Sequence, residues 1–248
     1  MSFLIKIWRK VVCFFLQPIR VYVFHTTGET YNPLIAWKCD WTHVDLLKKN
    51  IETLQSTYEF ISLNEAYGKL KNDWFRFKKY AVLTSDDGYL ALQHVLPWLE
   101  RKCIPITLFV NPAYMDKKSW SSLNEEQSRR IKPDVDMLTE VCPDLYLSES
   151  QIWDLQSDNV SIGMHGWEHN DANLLSKKEF ESNVDRCVEV LSKHPRYVPF
   201  YAYTWGHHNS VTDKVIEDKG IVPVLVNGCV NRKYNGFVDR ICIDGKRL

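Results

Sequence analysis

The stretch YAVLTSDDGY, residues 80–89, places an uncharged, β-prone run directly before two adjacent carboxylates. Residues 80–85 have the composition of a strand that is buried on both faces, as in a parallel sheet. Asp86, Asp87 and Gly88 then leave the strand, and an Asp-Gly pair is typical of a turn. The stretch therefore predicts a parallel-sheet strand whose carboxyl end carries two acidic side chains.

Similar runs on both sides of this stretch predict six more strands, and helix-like segments alternate with them. The predicted strands cover residues 20–25, 58–62, 105–111, 160–165, 197–203 and 221–226. Five segments resemble capping boxes, the signature of a helix start, and they begin at Thr42, Ser62, Ser148, Ser176 and Ser210. This alternation indicates an α/β fold whose parallel sheet is closed or nearly closed. The chain has 248 residues, which suits one barrel domain.

Two regions depart from the alternation. Residues 112–147 contain no clean strand, and we predict an insertion over the face where the fourth strand ends. Residues 1–19 are predicted to form an N-terminal helical segment, which leaves 20–248 for the barrel. Lys6, Arg9 and Lys10 precede a short apolar run in this segment. A weak contact with a membrane surface and a cleaved signal peptide are therefore the alternatives there.

The charge balance and the cysteines narrow the class of protein. Lys plus Arg and Asp plus Glu are both 31, so the formal charge is zero, and no basic run indicates a nucleic-acid partner. A neutral partner such as a sugar fits this balance. The seven cysteines show no C-x-x-C spacing, which argues against a disulfide framework and a zinc–thiolate site. We therefore expect a cytoplasmic protein. A peripheral position at the inner face of the membrane is the alternative.

Several polar side chains follow the predicted strands directly. The carboxyl ends of parallel strands meet on one face of a barrel, where active sites are built. Adjacent side chains diverge, so one of two neighbouring carboxylates can bind a metal while the other faces a substrate. The structural alternative for the acidic pair is a turn that caps the next helix. The residues that share this face are His25, Asp86, Asp87, Asn111, His165 and Tyr203.

The segment MHGWEH, residues 164–169, offers two histidines four positions apart. Such a pair can bind one metal ion from a single turn of chain, although unrelated surface histidines give the same spacing. Two imidazoles and one carboxylate leave coordination positions open for water and substrate, as in a hydrolytic metal site.

Aromatic residues dominate the segment FYAYTWG, residues 200–206, and His207 and His208 follow it. An aromatic rim suits a sugar, because the apolar face of a pyranose ring packs on aromatic rings. Ordinary core packing is the alternative for each aromatic. We predict that Tyr203, Trp205, His207 and His208 contact substrate.

Together these segments resemble the polysaccharide deacetylase (NodB-homology) family. TSDDG at 84–88 is similar to its T-F-D-D-G motif, MHGWEH to its H-x-x-x-H motif, and YAYTWG at 201–206 to its F-A-Y-P-Y-G motif. The run ITLFVN at 106–111 resembles a T-F-F-V strand of the family. The resemblance covers about residues 20 to 245, with 112–147 unmatched.

The resemblance implies a distorted (β/α)7 barrel and hydrolysis of an acetyl group, usually from an N-acetylated sugar. It implies that Asp86 is the catalytic base. It also implies that Asp87, His165 and His169 bind one divalent ion, usually zinc.

The sequence departs from the family pattern at three positions, none of which belongs to the expected base or metal ligands. Ser85 replaces the usual phenylalanine of the first motif, and the third motif lacks the arginine that orients the base in another form of it. Many members carry a late histidine as the general acid, but none follows His208. The candidates for the acid are His25, and then His207 or His208. A purely structural role is the alternative for His25.

Other functions fit parts of the pattern. A descendant that only binds glycan would not need Asp86, and a metal hydrolase of another amide or ester would share the whole set. A glycosidase with two carboxylates is disfavoured, because its acids lie across the scissile bond whereas Asp86 and Asp87 are neighbours. A cytoplasmic enzyme would act on a sugar nucleotide, a lipid-linked sugar or another glycan precursor, and family habit indicates bacterial surface-glycan assembly.

Overall fold

A computed structural model describes residues 16–29, 41–115 and 145–248 of the chain. Ten strands lie in these ranges, and eight of them belong to one parallel sheet. The strands are β1 (Ile19–Phe24), β2 (Thr26–Gly28), β3 (Trp41–His43), β4 (Glu59–Phe60), β5 (Tyr80–Ser85), β6 (Ile106–Val110), β7 (Val160–Met164), β8 (Tyr197–Ala202), β9 (Val222–Val226) and β10 (Val238–Cys242).

Seven of these strands close a barrel in the order β1-β5-β6-β7-β8-β9-β10. Closure occurs at β1, where Val21 pairs with Val82 of β5 on one side and with Arg240 of β10 on the other. The short strand β4 pairs with the first residues of β5 and lies outside the ring. The predicted (β/α)7 barrel in a single domain is therefore confirmed.

Six α-helices of the described ranges follow or separate the strands. They are α1 (Val44–Gln55), α2 (Leu63–Asn72), α3 (Leu96–Arg101), α4 (Glu149–Trp153), α5 (Lys177–Leu191) and α6 (Ser210–Asp218). Alternate strand residues such as Tyr22 and Leu83 face α1 and α3 in an outer apolar layer, while Val21 and Val82 belong to the apolar cluster inside the ring.

Helix α2 closes one end of the barrel. Its Leu63, Ala66 and Leu70 pack with Val21 and Val82 in the inner cluster. We call this end, where the strands begin, the base, and the end where they finish, the mouth. Because the base is filled by apolar side chains, polar groups at the strand ends collect at the mouth.

The predicted helix starts are confirmed at Ser62, Ser148 and Ser176, whose hydroxyl groups accept N–H groups of the first turn. The prediction at Thr42 was wrong because its hydroxyl accepts the Gly245 N–H, and the cap is the next residue, His43. Helix α6 is capped by Asn209, whose side chain accepts two N–H groups, so Ser210 is the first helical residue.

Six predicted strands agree with the structure to within one residue at each end. The exception is 58–62, of which only the two residues of β4 form a strand. The seventh barrel strand is instead β10, which the sequence did not predict. Its sequence, VDRIC, places Asp239 and Arg240 in the middle of the strand, so it lacks the apolar run on which the other predictions relied.

The structure reaches only the edges of the two irregular regions. Of the predicted N-terminal segment, residues 1–15 lie outside the described ranges, as do 116–144 of the predicted insertion. The chain re-enters at Leu145, and Tyr146 pairs with Tyr89 beside the acidic pair. None of the helices in the described ranges has the length and apolar composition needed to cross a membrane.

Candidate active site

Two functional segments leave the barrel through unusual backbone conformations at the mouth. Asp87 follows β5 with a φ of 70°, and His169 follows β7 with a φ of 55°. Such left-handed conformations are uncommon outside glycine, and they cluster at functional sites. They turn both side chains toward one point above the barrel.

Asp87, His165 and His169 meet at that point. The Oδ1 atom of Asp87 lies 3.4 Å from Nε2 of His165 and 3.3 Å from Nε2 of His169. The three potential ligand atoms lie within 4.8 Å of one another, and Asp87 and His165 are buried. One carboxylate and two imidazole nitrogens at this separation fit the open, three-ligand type of divalent metal site.

Hydrogen bonds prepare His165 for this role. Its Nδ1 lies 2.8 Å from the carbonyl oxygen of Ala202, which can only accept. Nδ1 therefore carries the proton, and the lone pair of Nε2 faces Asp87. Support of this kind from outside the ligand set fixes the tautomer of metal-binding histidines.

The loop after β7 is held from two sides. The amide nitrogen of Asn111 donates to the carbonyl groups of His165 (2.5 Å) and Gly166 (3.0 Å). The side chain of Asn183, from α5, accepts the N–H of Trp167 at 2.9 Å. The predicted polar residue at the end of β6, Asn111, thus positions the histidine loop from beneath.

Asp86 points into the barrel and forms a two-point ion pair with Arg240. The guanidinium nitrogens lie 2.6 Å and 2.8 Å from the two carboxylate oxygens, and both residues are buried. Burial alone would raise the pKa of Asp86. The positive charge of Arg240, with a smaller contribution from His165, outweighs burial and holds the pKa well below its ordinary value.

Arg240 is a residue of the candidate site that the sequence analysis did not single out. It lies in β10 with its guanidinium carbon 5.2 Å from the centre of the Phe109 ring, and its exposure is 0%. The prediction looked for an arginine only within residues 200–206. The signal that could have revealed it is a lone arginine inside an otherwise strand-like run close to the C-terminus.

His25, at the end of β1, is paired with another residue that the sequence did not single out. Its Nδ1 lies 2.6 Å from Oδ2 of Asp244, and its backbone N–H donates to Oδ1 at 3.0 Å. Cys242 Sγ lies 3.2 Å from Oδ2 of the same carboxylate. Asp244 therefore fixes the orientation of the His25 ring, which is only partly buried.

The four residues predicted to contact substrate take different positions. Trp205 is 51% exposed with its ring 4.7 Å from that of His169, so it stands at the rim. Tyr203 lies beneath the rim, 1% exposed, and its hydroxyl donates to Asp213. His207 contacts Asp171, and His208 is held by Asp213 and packs on Phe237.

The four cysteines of the described ranges form no disulfide with one another. Cys103, Cys187, Cys229 and Cys242 are free thiols. Cys187 lies on the buried face of α5, and burial raises its pKa far above the ordinary range. The remaining three cysteines of the sequence lie outside the described ranges.

The sequence matches a family profile described as polysaccharide deacetylase over residues 75–224. That range holds the acidic pair, the histidine loop and the aromatic segment, but neither His25 nor Arg240. No curated protein matches the chain.

Solved structures share the fold, and the descriptions of several of them name a deacetylase. IcaB from Ammonifex degensii is 19% identical, with a TM-score of 0.73 and 92% of each chain covered. The Streptococcus pyogenes deacetylase PplD, in complex with acetate, is 18% identical, with a TM-score of 0.71 and coverage of 91% of this chain and 92% of that one. A de-N-acetylase from Aggregatibacter actinomycetemcomitans is 17% identical, with a TM-score of 0.65 over 91% of this chain and 94% of that one.

At these identities the structural matches establish the fold, whereas the profile match spans more than half of the sequence. The sequence motifs, the closed barrel and the profile agree on one assignment. The chain belongs to the polysaccharide deacetylase family.

Proposed function

We propose that the chain is a metal-dependent hydrolase that removes the acetyl group from an N-acetylated sugar of a glycan or glycan precursor. One observation carries the proposal. The carboxylate of Asp86, which the buried Arg240 keeps ionised, lies beside the three potential metal ligands. It is 3.9 Å from one of them, His165. A module that only binds glycan needs no such base.

The triad of Asp87, His165 and His169 would hold the ion, for which zinc is the usual choice with such ligands. The chemistry that a divalent ion supplies there is Lewis-acid polarisation of the acetyl carbonyl and acidification of water. Ala202 and Asn111 serve this step indirectly, since they orient His165 and its loop.

Asp86 would accept the proton of the attacking water. Because Arg240 holds its pKa low, Asp86 is ionised at neutral pH and available as a base. Arg240 also fixes both carboxylate oxygens, so the base keeps one orientation during attack. General-base catalysis of this kind contributes roughly 10²–10⁴-fold to the rate.

His25 would donate the proton that the departing amine needs when the C–N bond breaks. Asp244 binds Nδ1, which leaves Nε2 as the nitrogen that can carry this proton. His25 is also close enough to Asp86 to lower its pKa, so acid and base lie at one site. The products are acetate and a free amine. His207 and His208 are weaker candidates, because each is tied to a carboxylate on the outer rim.

Trp205 would supply the apolar platform for the sugar ring, because it is exposed beside His169. Tyr203 would support this rim from below and not touch the sugar. The free thiols of the described cysteines support a reducing compartment, and a glycan precursor of the bacterial surface is the proposed substrate class.

Acetate release from a panel of N-acetylhexosamine oligosaccharides tests the proposal. We expect release by the wild type to stop with a chelator and return with zinc. Asp86→Asn should lower kcat about 10³-fold while metal content, measured by elemental analysis, is unchanged. A wild type that binds metal but releases no acetate from any N-acetylated or O-acetylated sugar would contradict the proposal.

A further inference from the structure

A second group of metal-type ligands lies where the first and last strands of the barrel meet at the mouth. It consists of His25, which follows β1, Cys242, which ends β10, and Asp244 just beyond. We call these three residues the terminal-strand cluster. Its potential ligand atoms are an imidazole nitrogen, a thiol sulfur and a carboxylate oxygen, and they lie within 4.8 Å of one another. No member of the triad that would hold the catalytic ion belongs to it.

Asp244 is the centre of the terminal-strand cluster. Its Oδ2 atom lies 2.6 Å from Nδ1 of His25 and 3.2 Å from Sγ of Cys242, and its side chain is only 1% exposed. An ionised carboxylate only accepts hydrogen bonds, so the imidazole N–H and the thiol S–H both point at this one oxygen. Two protons thus converge on one buried anion, in the place that a single divalent cation can take.

The distances between the ligand atoms are close to those of a zinc site. With bonds of about 2.0–2.3 Å and tetrahedral angles, the ligand atoms around zinc lie roughly 3.3–3.7 Å apart. The side chains of His25, Cys242 and Asp244 would therefore have to separate by about 1 Å or less to admit the ion. The backbone beneath them is fixed, because Val23 of β1 pairs with Cys242 and Asp244 also accepts the backbone N–H of His25.

The chemical types of the three ligands select the kind of ion. Magnesium and calcium prefer sites made entirely of oxygen, whereas a thiolate with an imidazole and a carboxylate suits zinc and similar ions. His25 and Cys242 are both partly exposed, so an ion can enter from solution and keep water as its fourth ligand. The cysteine spacing that argues against a zinc–thiolate site concerns pairs of cysteines, and it does not apply to one thiol joined by residues distant in sequence.

We propose that the terminal-strand cluster binds a second divalent cation of the zinc class, separate from the ion of the triad. On binding, the thiol proton of Cys242 leaves to the solvent, and the proton that remains on the His25 ring lies on Nε2. The ion has to replace two existing hydrogen bonds to Asp244. We therefore expect the cluster to fill only at zinc concentrations well above the range that saturates the triad.

The consequence for catalysis rests on the proposed function, in which His25 is the general acid. An imidazole that binds a cation through Nδ1 cannot hold a proton there as well. His25 then loses the doubly protonated form from which it would give the Nε2 proton to the departing amine. Excess zinc should therefore inhibit the enzyme that the first zinc ion activates.

Cobalt titration of the full chain tests the second site without measuring activity. A thiolate ligand gives bound Co²⁺ a charge-transfer band in the near ultraviolet, and the triad contains no thiolate. We expect the wild type to bind two equivalents, with the band developing over the second one. In Asp87→Ala, which disrupts the triad, the band should develop over the first equivalent.

Cys242→Ser should bind one equivalent of cobalt and show no thiolate band. The matched controls are Cys103→Ser and Cys229→Ser, which each remove an exposed thiol elsewhere and should titrate like the wild type. Circular dichroism melting verifies that every variant is folded.

Acetate release from an N-acetylated sugar tests the inhibition. The rate of each protein in excess zinc is divided by its own rate with one equivalent. The wild-type rate should fall roughly tenfold or more, because a general acid contributes about 10²–10⁴-fold, whereas Cys242→Ser should keep its rate. Hydrolysis of 4-nitrophenyl acetate, whose leaving group needs no proton, should resist excess zinc in both proteins.

Two results would overturn the second site. The wild type binds only one equivalent of cobalt, or Cys242→Ser keeps the thiolate band. A second equivalent that binds without slowing acetate release would overturn the inhibitory role. A wild type that releases no acetate at any zinc concentration would contradict the proposed function, and the cobalt titration would still decide whether the second site exists.

Discussion

At the scale of single residues, the proposed catalytic base, Asp86, owes its low pKa and its orientation to Arg240, which is distant in sequence. Asp86 and Arg240 form a fully buried pair, and neither charge has access to bulk water. Removing one partner of a buried pair leaves an unpaired charge, which costs about 3–5 kcal/mol. The pair is therefore a structural requirement as well as the support of the proposed catalytic base.

Replacing Arg240 tests this dependence through pH. In Arg240→Met the pKa of Asp86 should rise, because burial then acts without the opposing positive charge. The acid limb of the kcat–pH profile should move to higher pH, with activity at pH 7 reduced at least 100-fold. Arg240→Lys keeps a charge and should shift the limb less. The surface substitution Arg196→Lys is the control, and an unmoved limb in Arg240→Met would contradict the role given to Arg240.

The role of His25 can be separated from that of Asp86 by the leaving group. An amine must be protonated as it departs, whereas 4-nitrophenolate leaves without a proton. We expect His25→Ala to lose roughly 10²–10⁴-fold on an N-acetylated sugar and to keep its activity on 4-nitrophenyl acetate. Asp86→Asn should lose both activities. Equal losses on both substrates in His25→Ala would leave His25 as a structural residue.

At the scale of elements, β7 shows how closely the barrel fits around the ion pair. A Cβ atom on Gly163 would lie 2.6 Å from Cε1 of Phe109 and 3.3 Å from the carbonyl oxygen of Phe200. Phe109 in turn lies against the Arg240 guanidinium. Gly163 thus sets the position of the proposed catalytic base, Asp86, through the side chains of Phe109 and Arg240.

Alanine at two glycines should therefore have opposite effects. Gly163→Ala should destabilise the fold by about 1–3 kcal/mol and lower kcat, because Phe109 must move. Gly68→Ala, in α2, meets no atom within 4 Å and should stabilise by roughly 0.5–1 kcal/mol with kcat unchanged. Urea unfolding and acetate release measure both. A Gly163→Ala protein with wild-type kcat would show that this packing does not position the Asp86 carboxylate.

Sequence patterns predicted the elements that have an uninterrupted apolar run, and they failed where the barrel places a charge inside. Strand β5 was predicted to the residue, because its six residues are all buried. Strand β10 was missed because its central Arg240 looks like a surface residue until the barrel closes around it. The predicted N-cap of α6 was one position too late, because Ser210 and Asn209 are both residue types that commonly cap helices.

At the scale of the whole molecule, topology explains why much of the candidate site could be predicted. Parallel strands bring their carboxyl ends together, so the sequence alone groups Asp86, Asp87, His165 and His25. The partners Arg240 and Asp244 come from the last strand and its end, which no motif marked. The sequence therefore predicts which residues lie at the strand ends, but it does not predict which side chains form ion pairs with them.

Metal binding at the mouth should stabilise the whole fold. An ion that binds only the native chain adds about 2.7 kcal/mol at a concentration 100-fold above its Kd, which corresponds to a Tm increase of roughly 5–10 °C for a chain of this size. Differential scanning fluorimetry with zinc after chelator treatment measures the shift. It should vanish in Asp87→Ala and persist in Asp86→Asn. An equal shift in Asp87→Ala would place the ion elsewhere.

The base and the mouth lie at opposite ends of the same strands, and this separation sets a working distance. Strands of five or six residues, at about 3.3 Å per residue and tilted by roughly 36–45° to the barrel axis, hold the mouth about 12–16 Å from the base. An enzyme immobilised through its base would therefore keep its mouth open to the solution, and dissolved glycans would still reach the residues that gather there.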